Sequence, residues 1–159
     1  MKPSAAILYT LILALWTGGV AIFTFVVTPV IFRSYGRDMA GEIVGKLFPG
    51  YFTYNLVLSV LALAVLFMLG ADRAAKAFQF SLALLMIALL ANAYVSLKLH
   101  PDTVRIKQQV ASFERESPDS PARKEFRRLH GISAVLNLLI LTDGVVLLAI
   151  SGNLLRSTR

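Results

Sequence analysis

Four apolar stretches, each long enough to cross a lipid bilayer, leave this chain few folds to choose from. They run over residues 5–32, 51–69, 74–97 and 129–150. About 20 apolar residues at 1.5 Å each cross the roughly 30 Å hydrocarbon layer. A chain in lipid must satisfy its own backbone hydrogen bonds, and consecutive apolar runs of this length do so as helices. The expected fold is an all-α integral membrane protein. It is a four-transmembrane-helix bundle forming a single domain over residues 1–159, with a short amphipathic first loop and a longer polar, partly helical third loop. The first stretch exceeds a signal-peptide core and ends in Pro29-Val-Ile-Phe-Arg33 rather than a cleavage site, so it is read as a retained span.

The connections carry their own signals. In Ser34–Pro49, Met39, Ile43 and Leu47 recur every four residues beside Asp38, Glu42 and Lys46, the pattern of a short amphipathic segment lying at the interface. Phe48, Tyr51 and Phe52 follow where an aromatic belt belongs. Gly70-Ala71-Asp72-Arg73 reads as a tight turn between the second and third spans. Residues 98–128 are the polar segment. Glu116–Pro121 breaks it, and Ser120-Pro121 is a fitting N-cap and first-turn pair for the last helix.

The net charge of +7 raises the question of nucleic acid. The basic residues, however, flank apolar runs, and no nucleic-acid-binding motif accompanies them. Of the 16 Lys and Arg, eleven fall on the side of the first and third loops, and five (Lys2, Arg73, Lys76, Arg156, Arg159) fall on the other. The positive-inside rule then puts both long loops in the cytoplasm and both termini outside a cytoplasmic membrane. The expected partners are the lipid bilayer, a second copy of the chain, and a small solute or ion. With no cysteine there is no thiolate metal site or catalytic thiol. Phosphate loops, nucleophile elbows and zinc-protease motifs are also missing. On these absences a non-catalytic role is expected ahead of a catalytic one, and the enzyme question stays open.

Depth counting exposes a polar layer. Measured inward from the cytoplasmic ends, Thr28, Asn55 and Ser133 lie about 6 Å deep, Asn92 about 9 Å, and Thr24, Ser59 and Asn137 about 12 Å. Each span contributes an i, i+4 pair on one face: Thr24/Thr28, Asn55/Ser59, Asn92/Ser96 and Ser133/Asn137. His130, Tyr51 and Lys98 are expected at the mouth. Two interpretations stand side by side: interhelical hydrogen-bond glue, or a ligand-binding cavity built on His130, Asn137, Ser133, Asn92, Asn55 and Thr28. Asp143 lies about 20 Å deep on another face of the last helix. It is either a neutral carboxyl bonded to Thr10, Trp16, Thr17 or Gln79, or a proton or ion relay. His130 and His100 are the metal-ligand candidates, with haem at the cytoplasmic face as the cofactor they would suit.

Phe32-Arg-Ser34, Lys46–Phe52 (KLFPGYF) and Phe126–Leu139 (FRRLHGISAVLNLL), in this order and spacing, resemble the transmembrane protein 205-like family (domain of unknown function 4149). That family is distantly similar to copper-resistance D-like four-helix membrane proteins and to a haem-containing protoporphyrinogen oxidase family. The resemblance covers nearly the whole chain. It implies four spans and a role in transport or vesicle traffic. It also places the family's histidine-glycine, serine and asparagine on His130, Gly131, Ser133 and Asn137. The family's glutamate-proline falls on His100-Pro101, which argues against a two-histidine haem. Its asparagine-glycine falls on Asp143-Gly144, which argues against an obligatory carboxylate relay. The function expected is handling of a small solute or ion through the polar layer. The alternatives are a haem- or metal-dependent membrane oxidoreductase and a non-catalytic scaffold subunit.

Overall fold

The computed structural model describes residues 3–69 and 75–156, with side chains over 4–69 and 75–151; the turn expected at Gly70–Arg73 lies outside the described residues. Four long helices account for nearly all of it. α1 covers residues 3–34, as an α-helix Pro3–Ile22, a π-helical turn Phe23–Val27 and an α-helix Thr28–Ser34. α2 is Arg37–Met68. α3 covers residues 76–107, as Lys76–Tyr94, a π-helical turn Val95–Leu99 and His100–Lys107. α4 is Pro121–Arg156. Each is long and apolar enough to cross a membrane. Each packs against its neighbours in sequence, and α4 closes on α1, making an up-down-up-down bundle. This is the architecture expected of a multi-pass membrane protein.

Both π-helical turns lie immediately before a proline that continues the helix, at Thr28-Pro29 and at His100-Pro101. A proline ring collides with the carbonyl four residues back and cannot donate to it. Widening the preceding turn by one residue removes that collision without ending the helix. Thr103 Oγ1 donates to the Leu99 carbonyl at 2.7 Å, an i−4 side-chain bond just past Pro101. Pro49 is instead carried within the unbroken α2.

The first connection differs from its expected form. The amphipathic stretch is not a separate interfacial helix: from Arg37 onward it forms the opening turns of α2, and only Tyr35 and Gly36 separate α1 from α2. The three glycines weaken helix propensity there, but continuity with a span below them outweighs that cost. The third loop is shorter than expected, because α3 extends to Lys107. The segment 108–120 then folds back over the end of the bundle. Asp38 holds it, accepting from Ser112 Oγ and from the Phe113 amide, each at 2.6 Å. Phe113 meets Phe126 edge-on, with centroids 4.8 Å apart. α4 begins as expected, with Ser120 Oγ accepting from the Arg123 amide at 3.4 Å.

The bundle is packed unevenly along its length. In the half away from the 108–120 loop, Trp16, Tyr9 and Leu13 of α1 interlock with Leu66, Leu85 and Leu147 of the other three helices, all fully buried. Large apolar side chains such as Leu11, Val57, Leu90 and Val135 point outward, as lipid-facing positions should. In the half beneath the loop the buried cluster is smaller, formed by Tyr51, Phe52, Val95, Leu99 and Leu129. The space left there is the candidate site.

Candidate functional site

An inner cavity of about 210 Å3 opens among all four helices beneath the loop end. A buried site needs only about 10–15 Å3 of such space to hold one water molecule, so this cavity has room for a small solute. Thr24 and Thr28 reach it from α1, Asn55 from α2, Asn92 from α3, and His130, Ser133 and Asn137 from α4. The six residues read from the sequence as ligand-binding candidates therefore meet in one space. Farther from the loop, the core around Trp16 and Leu85 closes the bundle, so the cavity is blind in this conformation.

Asn137 is the hub of the hydrogen bonding. Its Oδ1 accepts from the Tyr51 hydroxyl, and its Nδ2 donates to Thr24 Oγ1 at 2.8 Å. One amide thereby ties α4 to α2 and α1. Asn55 and Asn92 are spent differently. They are 1% and 2% exposed, and both line the cavity. Yet Asn55 Oδ1 and Asn92 Nδ2 have no hydrogen-bond partner among the described residues. A buried acceptor or donor left unmade costs about 1–3 kcal/mol. Asn55 on α2 and Asn92 on α3 both belong to the wall of the same space.

The aromatic residues turn inward. Tyr51 lines the cavity, in line with its expected place at the mouth, and so do Phe48 and Phe52, for which only a belt is expected; Tyr51 and Phe52 are buried. Phe23 stacks on Tyr51 with centroids 4.1 Å apart and planes 16° from parallel. The signal was present in the spacing. Phe48, Phe52, Asn55 and Ser59 recur at three- and four-residue intervals, so they share the asparagine's face. Two members of the expected polar pairs also fall away. Ser59 Oγ donates to the Leu56 carbonyl at 2.9 Å. Ser96 lies inside a π-helical turn, whose extra residue rotates it off the cavity and brings Val95 in. Lys98 is likewise not at the mouth but pairs with Asp102 at 3.0 Å.

Thr28, Phe48 and His130 line a second, outer chamber of about 430 Å3 as well as the inner cavity, so they stand at the passage between the two. His130 lies parallel to Phe126 with centroids 5.9 Å apart. His100 lines the outer chamber only, edge-on to Phe52 at 5.2 Å and to Phe48 at 5.8 Å. The two metal-ligand candidates thus share one chamber. No group of three or more His, Asp or Glu suited to a metal occurs among the described residues.

Asp143 lies outside both chambers. It is buried next to the seam where Gly144 of α4 meets Thr17 of α1. Among the described residues Asp143 Oδ2 has no hydrogen-bond partner, nor do Trp16 Nε1 and Thr17 Oγ1. Thr10 donates instead to the Ala6 carbonyl at 3.1 Å.

Comparison with known proteins yields a family but no chemistry. The family model described as a domain of unknown function, DUF4149, matches residues 11–112. An uncharacterized protein of Aquifex aeolicus (strain VF5) is 30% identical over 141 residues, covering 87% of this chain and 92% of its own. No solved structure matches.

Proposed function

This chain belongs to the DUF4149 family, and we propose that its four-span bundle binds and handles a small polar solute in the inner cavity. The observation that carries this is that Asn55 and Asn92 line the cavity from two helices while Asn55 Oδ1 and Asn92 Nδ2 have no partner among the described residues. Helix-packing glue would use those atoms on a neighbouring helix, as Asn137 does. A solute that offers both a donor and an acceptor would complete them. The aromatic wall of Phe23, Phe48 and Tyr51 would cover its apolar surface. We propose closer kinship with the transmembrane protein 205-like proteins, supported by the FRRLHGISAVLNLL segment that lies beyond the matched residues.

The test uses the sign of a stability change. Asn55→Leu and Asn92→Leu each replace an amide that has an unmade hydrogen bond with an apolar side chain of similar size. In the ligand-free protein they should melt at or slightly above the wild-type temperature. Both should lose the stabilisation that the wild type shows with a responding compound, from a detergent-solution panel of small polar solutes, metal ions and haem. Destabilisation by both leucines, together with no responding compound, would leave only the glue interpretation.

We also propose that the loop end faces the cytoplasm, supported by the eleven-to-five division of Lys and Arg. Cysteine placed at Ser4 should react with a membrane-impermeant thiol reagent added to intact cells, and cysteine at Ser112 should react only after lysis. The reverse pattern would turn the bundle over and open the cavity to the outside.

A further inference from the structure

We propose that the outer chamber is a separate binding site for an anionic amphiphile: a compact carboxylate or phosphate head carried on an apolar chain. This site does not depend on the inner cavity holding a solute. Its chemistry follows from what lines the chamber and from where the nearby carboxylates lie.

Arg37 and Lys107 line the chamber, and among the described residues no carboxylate does. The Glu114 carboxylate lies against Gly36, beside Arg37, without lining the chamber, and the other acids nearby are engaged. Asp38 accepts from Ser112 and Phe113, Glu42 pairs with Lys46 at 2.7 Å, Asp102 takes Lys98 and Arg105, and Glu125 takes Arg128. No ion pair or hydrogen bond to the Arg37 guanidinium is found among the described residues, which leaves its five donors available. Lys107 Nζ donates to the Gly41 carbonyl at 2.7 Å, which fixes the ammonium over the chamber wall with two donors still to give. Apolar and aromatic side chains, Phe32 and Phe113 among them, make up much of the rest, with Thr28, Thr103, His100 and His130. Two cations beside a largely apolar wall complement a ligand with the opposite layout, one anionic end on a hydrophobic body.

Depth supports the same class of ligand. The 32 residues of α2 measure about 48 Å against roughly 30 Å of hydrocarbon. Its first three turns, which carry Arg37, Gly41 and Gly45, therefore stand at headgroup level. An amphiphile lying there keeps its charge at the polar boundary and its chain toward lipid or toward the inner cavity. Such a head has two sources: a lipid of the surrounding bilayer, or a single-chain amphiphile arriving from water.

The experiment measures binding to the purified full chain in phosphatidylcholine nanodiscs. The probes are dodecyl phosphate, dodecanol, inorganic phosphate, and phosphatidylglycerol added to the discs. Dodecyl phosphate should bind the wild type, and dodecanol and inorganic phosphate should each bind far more weakly. Arg37→Gln and Lys107→Gln should each weaken dodecyl phosphate binding about tenfold; Arg37→Gln should do so without changing the melting temperature, since its side chain is exposed. Competition by phosphatidylglycerol would identify a bilayer lipid as the occupant, and its failure to compete would identify a single-chain amphiphile. Either result keeps the site. Dodecanol binding as tightly as dodecyl phosphate, or a double variant binding as the wild type does, would overturn it. Asn55→Leu serves as the separating control. It should leave dodecyl phosphate binding intact while abolishing any solute response of the inner cavity, so either site can fail without the other.

Discussion

Asn137→Leu should lower the melting temperature and abolish solute binding together, in contrast to the other two asparagines of the cavity. Its amide makes two interhelical hydrogen bonds, to Tyr51 and Thr24. Such bonds contribute about 0.6 kcal/mol each on average within membranes, with an upper end near 1.7. Leucine would also strand the Tyr51 hydroxyl. The expected loss is about 1–3 kcal/mol, and at roughly 2–4 °C per kcal/mol for a chain of this size it is readily measured. Solute affinity should fall at least about tenfold, because Thr24 and Tyr51 lose the group that positions them in the cavity wall. Melting curves with and without the responding compound separate the two effects. If Asn137→Leu melts as the wild type does, the three-helix tie is not made in solution. If it is destabilised but binds normally, Asn137 is a packing residue alone.

Gly144→Val should also lower the melting temperature. A Cβ at this position would lie 2.5 Å from Thr17 Oγ1, closer than atoms tolerate, and 3.4 Å from Thr17 Cβ, so Thr17 must turn away or α1 and α4 must part. Overpacking of this kind costs about 1–3 kcal/mol. Gly131 is the natural control, since a Cβ there meets nothing within 4 Å. Gly131→Ala should be neutral or should gain up to about 1 kcal/mol of helix propensity. Adding Thr17→Ala to Gly144→Val should recover part of the loss, because the two residues share one contact. Equal melting temperatures for Gly144→Val and Gly131→Ala would show that α1 and α4 are not in close contact at this seam.

The polar lining was largely legible before any coordinates. Thr28, Asn55, Asn92, Ser133 and Asn137 are polar residues at matching depths in spans that otherwise tolerate few, and lipid leaves such groups nowhere to turn except inward. Phe48 and Phe52 were read wrongly for a definite reason. They lie at the depth of the interface, where aromatic side chains are stable facing either lipid or protein, so depth alone does not decide. Periodicity with Asn55 does. Ser96 was misplaced because its pairing with Asn92 assumes an unbroken α-helical period, whereas Pro101 draws a π-helical turn into α3 just where Ser96 lies.

What the amino-acid order decided by itself was the span count, the all-helical class and the inward turn of the asparagines. Those follow from the cost of leaving backbone or amide groups unpaired in lipid, which is large and depends only on local sequence. Two features depended on tertiary structure: that Asn137 spends both ends of its amide on neighbouring helices, and that Asn55 and Asn92 each keep an atom free. Each depends on side chains from different helices arriving within about 3 Å of one another. Helix rotation and the register shift at a π-helical turn set that distance, and neither can be read from hydropathy.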